Sequence, residues 1–218
     1  VARLVAFNHP LLFAAAKMAA PLAAGNSVII KPSEETPLSA LWLAEIVGDI
    51  FPKGVLSVLT GGAELGASIC AHPGITAVSL VGSVPTGKAV LKSAADSMKR
   101  TQLELGGKNA LIICPDADLD AAINGAVKGM NLGWTAGQSC GSTSRILVHS
   151  SVYDAVVEGI EAAFSAVKLG DPLSQDTEMG SLSTASQFQR VTDYIASAKQ
   201  QGATIRVGAA PDLSLIHI

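Results

Sequence analysis

Ala77-Val78-Ser79-Leu80-Val81-Gly82-Ser83-Val84-Pro85-Thr86-Gly87-Lys88 passes from an apolar run through a glycine-bounded turn into a helical pattern. Ala77 to Val81 is short, apolar on both faces and stopped by Gly82, which reads as a strand covered above and below. Pro85 to Met98 reads as the helix that follows it. A strand buried on both faces belongs to a parallel sheet, because helical crossovers lie on both sides of such a sheet.

The same unit recurs upstream. Arg3 to Phe7, Ser27 to Ile30 and Val55 to Leu59 read as strands, and Leu11 to Ala24, Leu38 to Phe51 and Glu64 to Ala71 as the helices after them. Pro10 pushes His9 out of helical geometry, Gly25-Asn26 stops the Ala-rich helix, and Thr36-Pro37 supplies a capping hydroxyl and a first-turn proline. The alternation predicts an α/β fold with a doubly wound parallel sheet.

Downstream, Arg100 to Leu105 is followed by Gly106-Gly107, a flexible joint, so the chain divides into residues 1–106 and 107–218. The second part begins another α/β unit: strand Ala110 to Cys114, helix Leu119 to Leu132, a loop, strand Arg145 to His149, and helices Val152 to Val167 and Ser186 to Gln201. Residues 212–218 end the chain in apolar side chains with no cap or turn.

Ligands of doubly wound sheets gather beyond the carboxyl ends of the strands, which directs attention to four places. Asn8 follows the first strand and is either a turn residue or a side-chain donor to a developing oxyanion. Lys31-Pro32-Ser33-Glu34 follows the second, a solvated pair or a grip on a ribose diol. Gly82-Ser83 to Gly87-Lys88 places glycines and a helix N-terminus where backbone N–H groups suit a phosphate. It is no magnesium-nucleotide loop, since Ala89 stands where a hydroxyl residue is needed. Glu104 is the lone charge in Leu103-Glu104-Leu105; it points to solvent through the alternation, or, in apolar company, has its pKa raised and serves as a base.

The second unit holds Gly137-Gln138-Ser139-Cys140-Gly141-Ser142, a thiol among small and polar residues. Such neighbours leave a sulfur room to meet a substrate, whereas structural cysteines sit among Ile, Val and Leu. Cys70 and Cys114, in helix and strand, read as core. The same stretch spells G-x-S-x-G, but that nucleophile elbow joins a strand to a helix, and here the order is helix, loop, strand.

Apolar residues make up 49% of the 218 and charged ones only 15%, against roughly 25% charged in an average domain; surfaces are missing, as in the interior part of something larger. Leu11 to Ile30 is apolar but interrupted by Pro21, Gly25 and Asn26, which argues against a membrane span. A net charge of −3 and 4% aromatics exclude a nucleic-acid surface. Three separated cysteines form no disulfide framework and no metal site, which suits a reducing, cytoplasmic setting.

Taken together, Asn8, Lys31-Pro32-Ser33-Glu34, Gly82-Ser83 to Gly87, Glu104-Leu105-Gly106-Gly107-Lys108 and Gly137-Gln138-Ser139-Cys140 resemble the NAD(P)-dependent aldehyde dehydrogenase superfamily in order and spacing, up to about Gly208. The resemblance implies a Rossmann-like cofactor domain, incomplete at its N-terminus, followed by part of a catalytic domain. It implies Cys140 as nucleophile, Glu104 as the base for deacylation, and Asn8 with the Cys140 N–H as oxyanion hole. Lys31, Ser33 and Glu34 would face the adenosine ribose, Gly82, Ser83 and Gly87 the pyrophosphate, and Phe7 and Leu105 the cofactor side of the site. Phe7 replaces a common Trp and His9 a common Phe, so the substrate mouth differs. The cofactor implied is NAD, with NADP as second choice, because the Glu34 carboxylate repels a 2′-phosphate. A small-molecule aldehyde, oxidised through a cysteine thioester, is the implied substrate, and a homo-oligomer, dimer or tetramer, the implied assembly. A CoA-acylating relative generally lacks the Glu base; a catalytically silent cofactor-binding fragment is the other alternative. These 218 residues alone are not expected to form an active monomer.

Overall fold

The computed structural model describes residues 1–208, in two compact units, Val1–Gly106 and a second that begins at Gly107. The first unit is built on five parallel strands, β1 (Ala2–Leu4), β2 (Val28–Lys31), β3 (Leu56–Val58), β4 (Ala77–Gly82) and β5 (Arg100–Leu105), in the order β3-β2-β1-β4-β5. The chain winds outward from β1 to β3, then returns to place β4 on the other side of β1. That reversal makes the crevice beyond β1 and β4 the switch point where such sheets bind ligands.

Both faces are covered. On one, α4 (Ala63–Ala71) and α5 (Val84–Ala95) bring Ile69, Cys70 and Val90 onto Ala2, Leu4, Val78 and Leu80. On the other, α1 (Pro10–Ala16), α2 (Ala19–Ala23) and α3 (Leu38–Val47) bring Ala14 and Ala40, with Phe13, Leu22 and Leu43, onto Val5, Val28 and Ile30. Val28 and Ile30 are fully buried, each worth roughly 1.5–3 kcal/mol. Towards β5 this second face turns polar. Arg3, 2% exposed, donates from Nη1 to Ser79 Oγ at 2.6 Å and from Nη2 to the Phe13 carbonyl at 3.1 Å. Ser79 Oγ donates in turn to Gln102 Oε1 at 3.3 Å. The register pairs Arg3 with Ser79 and Ser79 with Gln102, so the three form one row across the sheet. Burial lowers the Arg3 pKa, and the negative charge of Glu104 partly offsets this.

The second unit pairs β6 (Ala110–Ile113) in parallel with β7 (Arg145–Val148). Its helices are α6 (Leu119–Lys128), the single turn α7 (Leu132–Thr135), α8 (Tyr153–Ser165) and α9 (Ala185–Gln200), with a 3-10 turn at Ser150–Val152 before α8. Asp118 caps α6, its Oδ1 accepting from the Ala121 N–H at 3.0 Å. α6 and α8 approach closely at Gly159, where a Cβ would collide with Ile123. Residues 212–218 lie outside the described residues. Among the described residues no helix is long and apolar enough to cross a membrane, and no group of three or more His, Cys, Asp or Glu is placed to hold a metal.

Several elements depart from the sequence reading. β1 ends at Leu4, not Phe7. The helix expected over Leu11 to Ala24 is two helices broken at Lys17 and Met18, because Pro21 has no N–H for the Lys17 carbonyl four residues back. Thr36 does not cap α3; its hydroxyl donates to the Phe7 carbonyl at 3.2 Å, tying the loop after β2 to the loop after β1. α6 stops at Lys128, short of Leu132. Cys114 is exposed, not core, since it lies one residue beyond the end of β6, whereas Cys70 is buried.

Candidate active site

Four groups of predicted residues lie in the first unit. Lys31 is the last residue of β2 rather than the first of the loop, so its side chain, ammonium included, is largely buried at the strand end. Nζ donates to the Pro32 carbonyl at 3.0 Å and lies 3.5 Å from Glu34 Oε2. Glu34 is well exposed and projects its carboxylate outward. Ser33 Oγ accepts the Glu35 N–H at 3.3 Å, which shapes this turn. Gly62, at the start of α4, was not singled out in the sequence. A Cβ there would come within 3.9 Å of Glu34 Oε1, so the glycine leaves open the space beside that carboxylate. The signal lay in Thr60-Gly61-Gly62, two glycines directly beyond β3.

The turn after β4 is tighter than the sequence suggested. Ser83 is the cap of α5, its Oγ accepting the Thr86 N–H at 3.3 Å and pairing with Thr86 Oγ1 at 2.8 Å. Pro85 has no N–H, and the Gly87 N–H donates to the Ser83 carbonyl at 2.9 Å. The Thr86 and Gly87 N–H groups are therefore taken up inside the turn, and the expected row of open donors is shorter. Gly87 packs on Leu105, whose methyl carbons lie 3.0 Å from where a Cβ would stand. Gly82 ends β4 in the same turn.

Phe7 and Asn8 are half-buried in the loop beyond β1. Glu104, in β5, is not in apolar company: its side chain is 53% exposed and Oε1 accepts from Lys17 Nζ at 3.1 Å.

In the second unit Cys140 is exposed on a loop that the fold holds at several points. The Thr143 N–H donates to the Gly129 carbonyl at 2.9 Å, and Ser142 Oγ to the Met130 carbonyl at 2.9 Å. A side chain at Gly129 would collide with Thr143, so this glycine, also missed in the sequence, lets the loop return against α6. Within the loop the Gly141 N–H donates to Ser139 Oγ at 3.2 Å and the Ser142 N–H to the Ser139 carbonyl at 3.2 Å. Asn131 (φ 56°) and Ala136 (φ 49°) are left-handed at either end of α7, followed by Gly137 at φ 74°. For alanine that conformation costs on the order of 1–2 kcal/mol.

Residues 1–215 match the aldehyde dehydrogenase family, so the likeness runs past Gly208, where the sequence reading ended it. The chain is 50% identical over 212 residues to aldehyde dehydrogenase tropH of Talaromyces stipitatus, covering 95% of this chain and 40% of that protein. It is 43% identical over 199 residues to betaine aldehyde dehydrogenase 2 of Rhizobium meliloti, covering 91% and 41%. Among solved structures, the NAD+ complex of an aldehyde dehydrogenase from Bacillus cereus superposes with a TM-score of 0.95 at 38% identity, over 100% of this chain and 44% of that one. PnpE in complex with nicotinamide adenine dinucleotide gives a TM-score of 0.93, also at 38% identity, over 98% and 44%. The chain thus spans about two fifths of the length of the curated relatives it matches.

Proposed function

The chain belongs to the aldehyde dehydrogenase family, and on that premise we infer that the whole protein oxidises a small-molecule aldehyde to a carboxylic acid with NAD. The single observation that carries this reading is the exposed Cys140 on a loop of small and polar residues, in a chain whose relatives bear that activity in their names. Residues 1–106 form the cofactor-binding domain in this reading, and residues from 107 onward belong to the catalytic domain.

The residues beyond β2 and β4 fit a dinucleotide. The exposed Glu34 carboxylate, with Lys31 behind it and the space at Gly62 beside it, suits a ribose diol. Ser33 shapes that turn, and the α5 N-terminus, with Gly82, Ser83 and Gly87, suits a pyrophosphate. Phe7 and Leu105 form the apolar side of the site. NAD, when bound, supplies the hydride acceptor.

Cys140, as thiolate, attacks the aldehyde carbon, and the oxyanion that develops takes hydrogen bonds from the Asn8 side chain and the Cys140 N–H, donors worth about 3 kcal/mol each. Loss of hydride from that carbon leaves a thioester on Cys140. Glu104 takes a proton from water, the hydroxide attacks the thioester, and the acid leaves with the thiolate regenerated. Association of whole subunits is part of the reading: Leu38, Trp42, Ile46 and Ile50 are exposed at four-residue spacing along and just beyond α3, an apolar stripe of the kind that subunits bury.

Incubating the whole protein with an aldehyde and NAD, without CoA, tests the reading. Reduced cofactor and carboxylic acid should appear in equal amounts. A requirement for CoA, with acyl-CoA as product, overturns the hydrolytic step, and absence of aldehyde-dependent reduction overturns the whole.

A further inference from the structure

A loop that holds Ala136 in left-handed geometry keeps that shape only where its surroundings impose it. One of the holds comes from a residue that neither the sequence motifs nor the mechanism uses. Asn109 precedes β6, and its backbone belongs to the frame: its carbonyl accepts the Arg145 N–H at 3.0 Å, directly beside the Ala110 to Arg145 pairing. Arg145 Nε donates to the Lys108 carbonyl at 2.9 Å, which fixes the approach to Asn109 from the other side.

The Asn109 side chain leaves that frame for the loop. Nδ2 donates to the Cys140 carbonyl at 2.6 Å and to the Ser142 carbonyl at 3.1 Å. An amide nitrogen has two hydrogens, so both bonds form at once, and only this orientation of the amide serves two carbonyl acceptors. Ser142 is itself buried, 5% exposed, and anchored through its hydroxyl to Met130. Asn109 therefore refers the Cys140 carbonyl both to the sheet and to the fixed end of the loop. Because the peptide is planar, holding that carbonyl sets the Cys140–Gly141 plane and limits the rotation of the Cys140 backbone from which the thiol projects.

Resting on the reading of Cys140 as nucleophile, the geometry points to Asn109 as a positioning residue for the thiol: a donor on the sheet that orients the nucleophile by gripping the carbonyls at Cys140 and Ser142. Asn109 is exposed and its Cys140 bond is solvent-facing, so its removal should cost little stability. Its effect falls on alignment, where misplacement of about 1 Å costs roughly a hundredfold in rate.

The test is single-turnover formation of reduced cofactor in the whole enzyme, with enzyme in excess over NAD, so that the rate reports attack and hydride loss before deacylation. Rates are expressed per active site titrated with a thiol-directed aldehyde analogue. Asn109→Ala, which removes both donors, and Asn109→Asp, which keeps the size but faces two carbonyls with a carboxylate, should each slow it by about 10- to 100-fold. Asn109→Ser, with one shorter donor, should fall between them and wild type. NAD affinity should stay within about twofold in all three. Wild-type rate constants in the soluble variants overturn the proposal, as does a fall in melting temperature and active-site titre with the rate per active site unchanged. Should Asn109→Ala aggregate, the Asp and Ser variants decide by the same criteria. Cys140→Ala separates this proposal from the reading beneath it: an active Cys140→Ala enzyme overturns both, whereas an inert one beside unimpaired Asn109 variants overturns the positioning role alone.

Discussion

Lys17 Nζ lies 3.1 Å from Glu104 Oε1, joining the break between α1 and α2 to the penultimate residue of β5. The break follows from Pro21, so a proline four residues downstream decides where the ammonium emerges. Both side chains are exposed by a third or more, and such a pair is worth at most about 1 kcal/mol. Glu104→Gln should therefore leave stability nearly unchanged. If Glu104 is the deacylation base, the variant should complete one turnover of reduced cofactor at the wild-type rate and then fall by about 10²–10⁴-fold in steady state. Rapid mixing followed by steady-state assay reads both phases, and an unchanged steady state would assign the base to another group.

Cys140→Ala should abolish aldehyde oxidation while NAD still binds, measured by quenching of protein fluorescence on titration with NAD. Thiol labelling alone does not identify the nucleophile, because Cys114 is exposed as well. Labelling belongs in a Cys114→Ser background, where one equivalent of iodoacetamide should inactivate the enzyme in proportion to Cys140 modified. Inactivation that lags behind modification counts against the assignment.

Much of the frame was legible in the sequence. Arg100–Leu105 was read to its exact limits because Arg100, Gln102 and Glu104 alternate with Thr101, Leu103 and Leu105 along an edge strand. The helix break at Lys17 was not, since Ala-rich propensity hid a local hydrogen-bond deficit at Pro21. The burial of Arg3 was beyond reach, because it requires knowing that β1 lies beside β4. The grip of Asn109 on Cys140 likewise needs the pairing of β6 with β7 before the residues, thirty-one apart in sequence, can be seen to meet. Motifs name chemistry along the chain, whereas support arrives from strands paired across it.

Ser83→Ala and Glu34→Gln separate fold from cofactor. Loss of the Ser83 cap should destabilise the first unit by about 1 kcal/mol and raise the KM for NAD and NADP alike, since both carry the pyrophosphate. Glu34→Gln should leave the melting temperature in place and narrow the ratio of kcat/KM for NAD over NADP, because it removes the charge that repels a 2′-phosphate. An unchanged ratio would locate selectivity elsewhere.

Cys70 supplies a pH dependence. Burial raises its thiol above the ordinary 9.0, with Lys99 pulling the other way. The folded state therefore holds the proton after the unfolded chain has released it. The associated stability is fully present below that value and declines as pH rises from there towards the folded pKa, by up to about 1.4 kcal/mol per pH unit. Urea midpoints of wild type and Cys70→Ala should run parallel up to about pH 8.5 and converge above it; curves parallel through pH 10 would contradict the assignment.

The row Arg3, Ser79, Gln102 acts on folding fidelity. β1 is only three residues long, too short for pattern alone to distinguish its correct alignment from a neighbouring one. A slip of one position would carry the guanidinium to the opposite face, among Ile69, Val90 and Leu80, with no acceptor to meet it. A misthreaded sheet would strand a charge in oil, at a cost of several kcal/mol. The arginine thus works as a proofreader of strand register, rejecting alignments that would satisfy the apolar residues equally well.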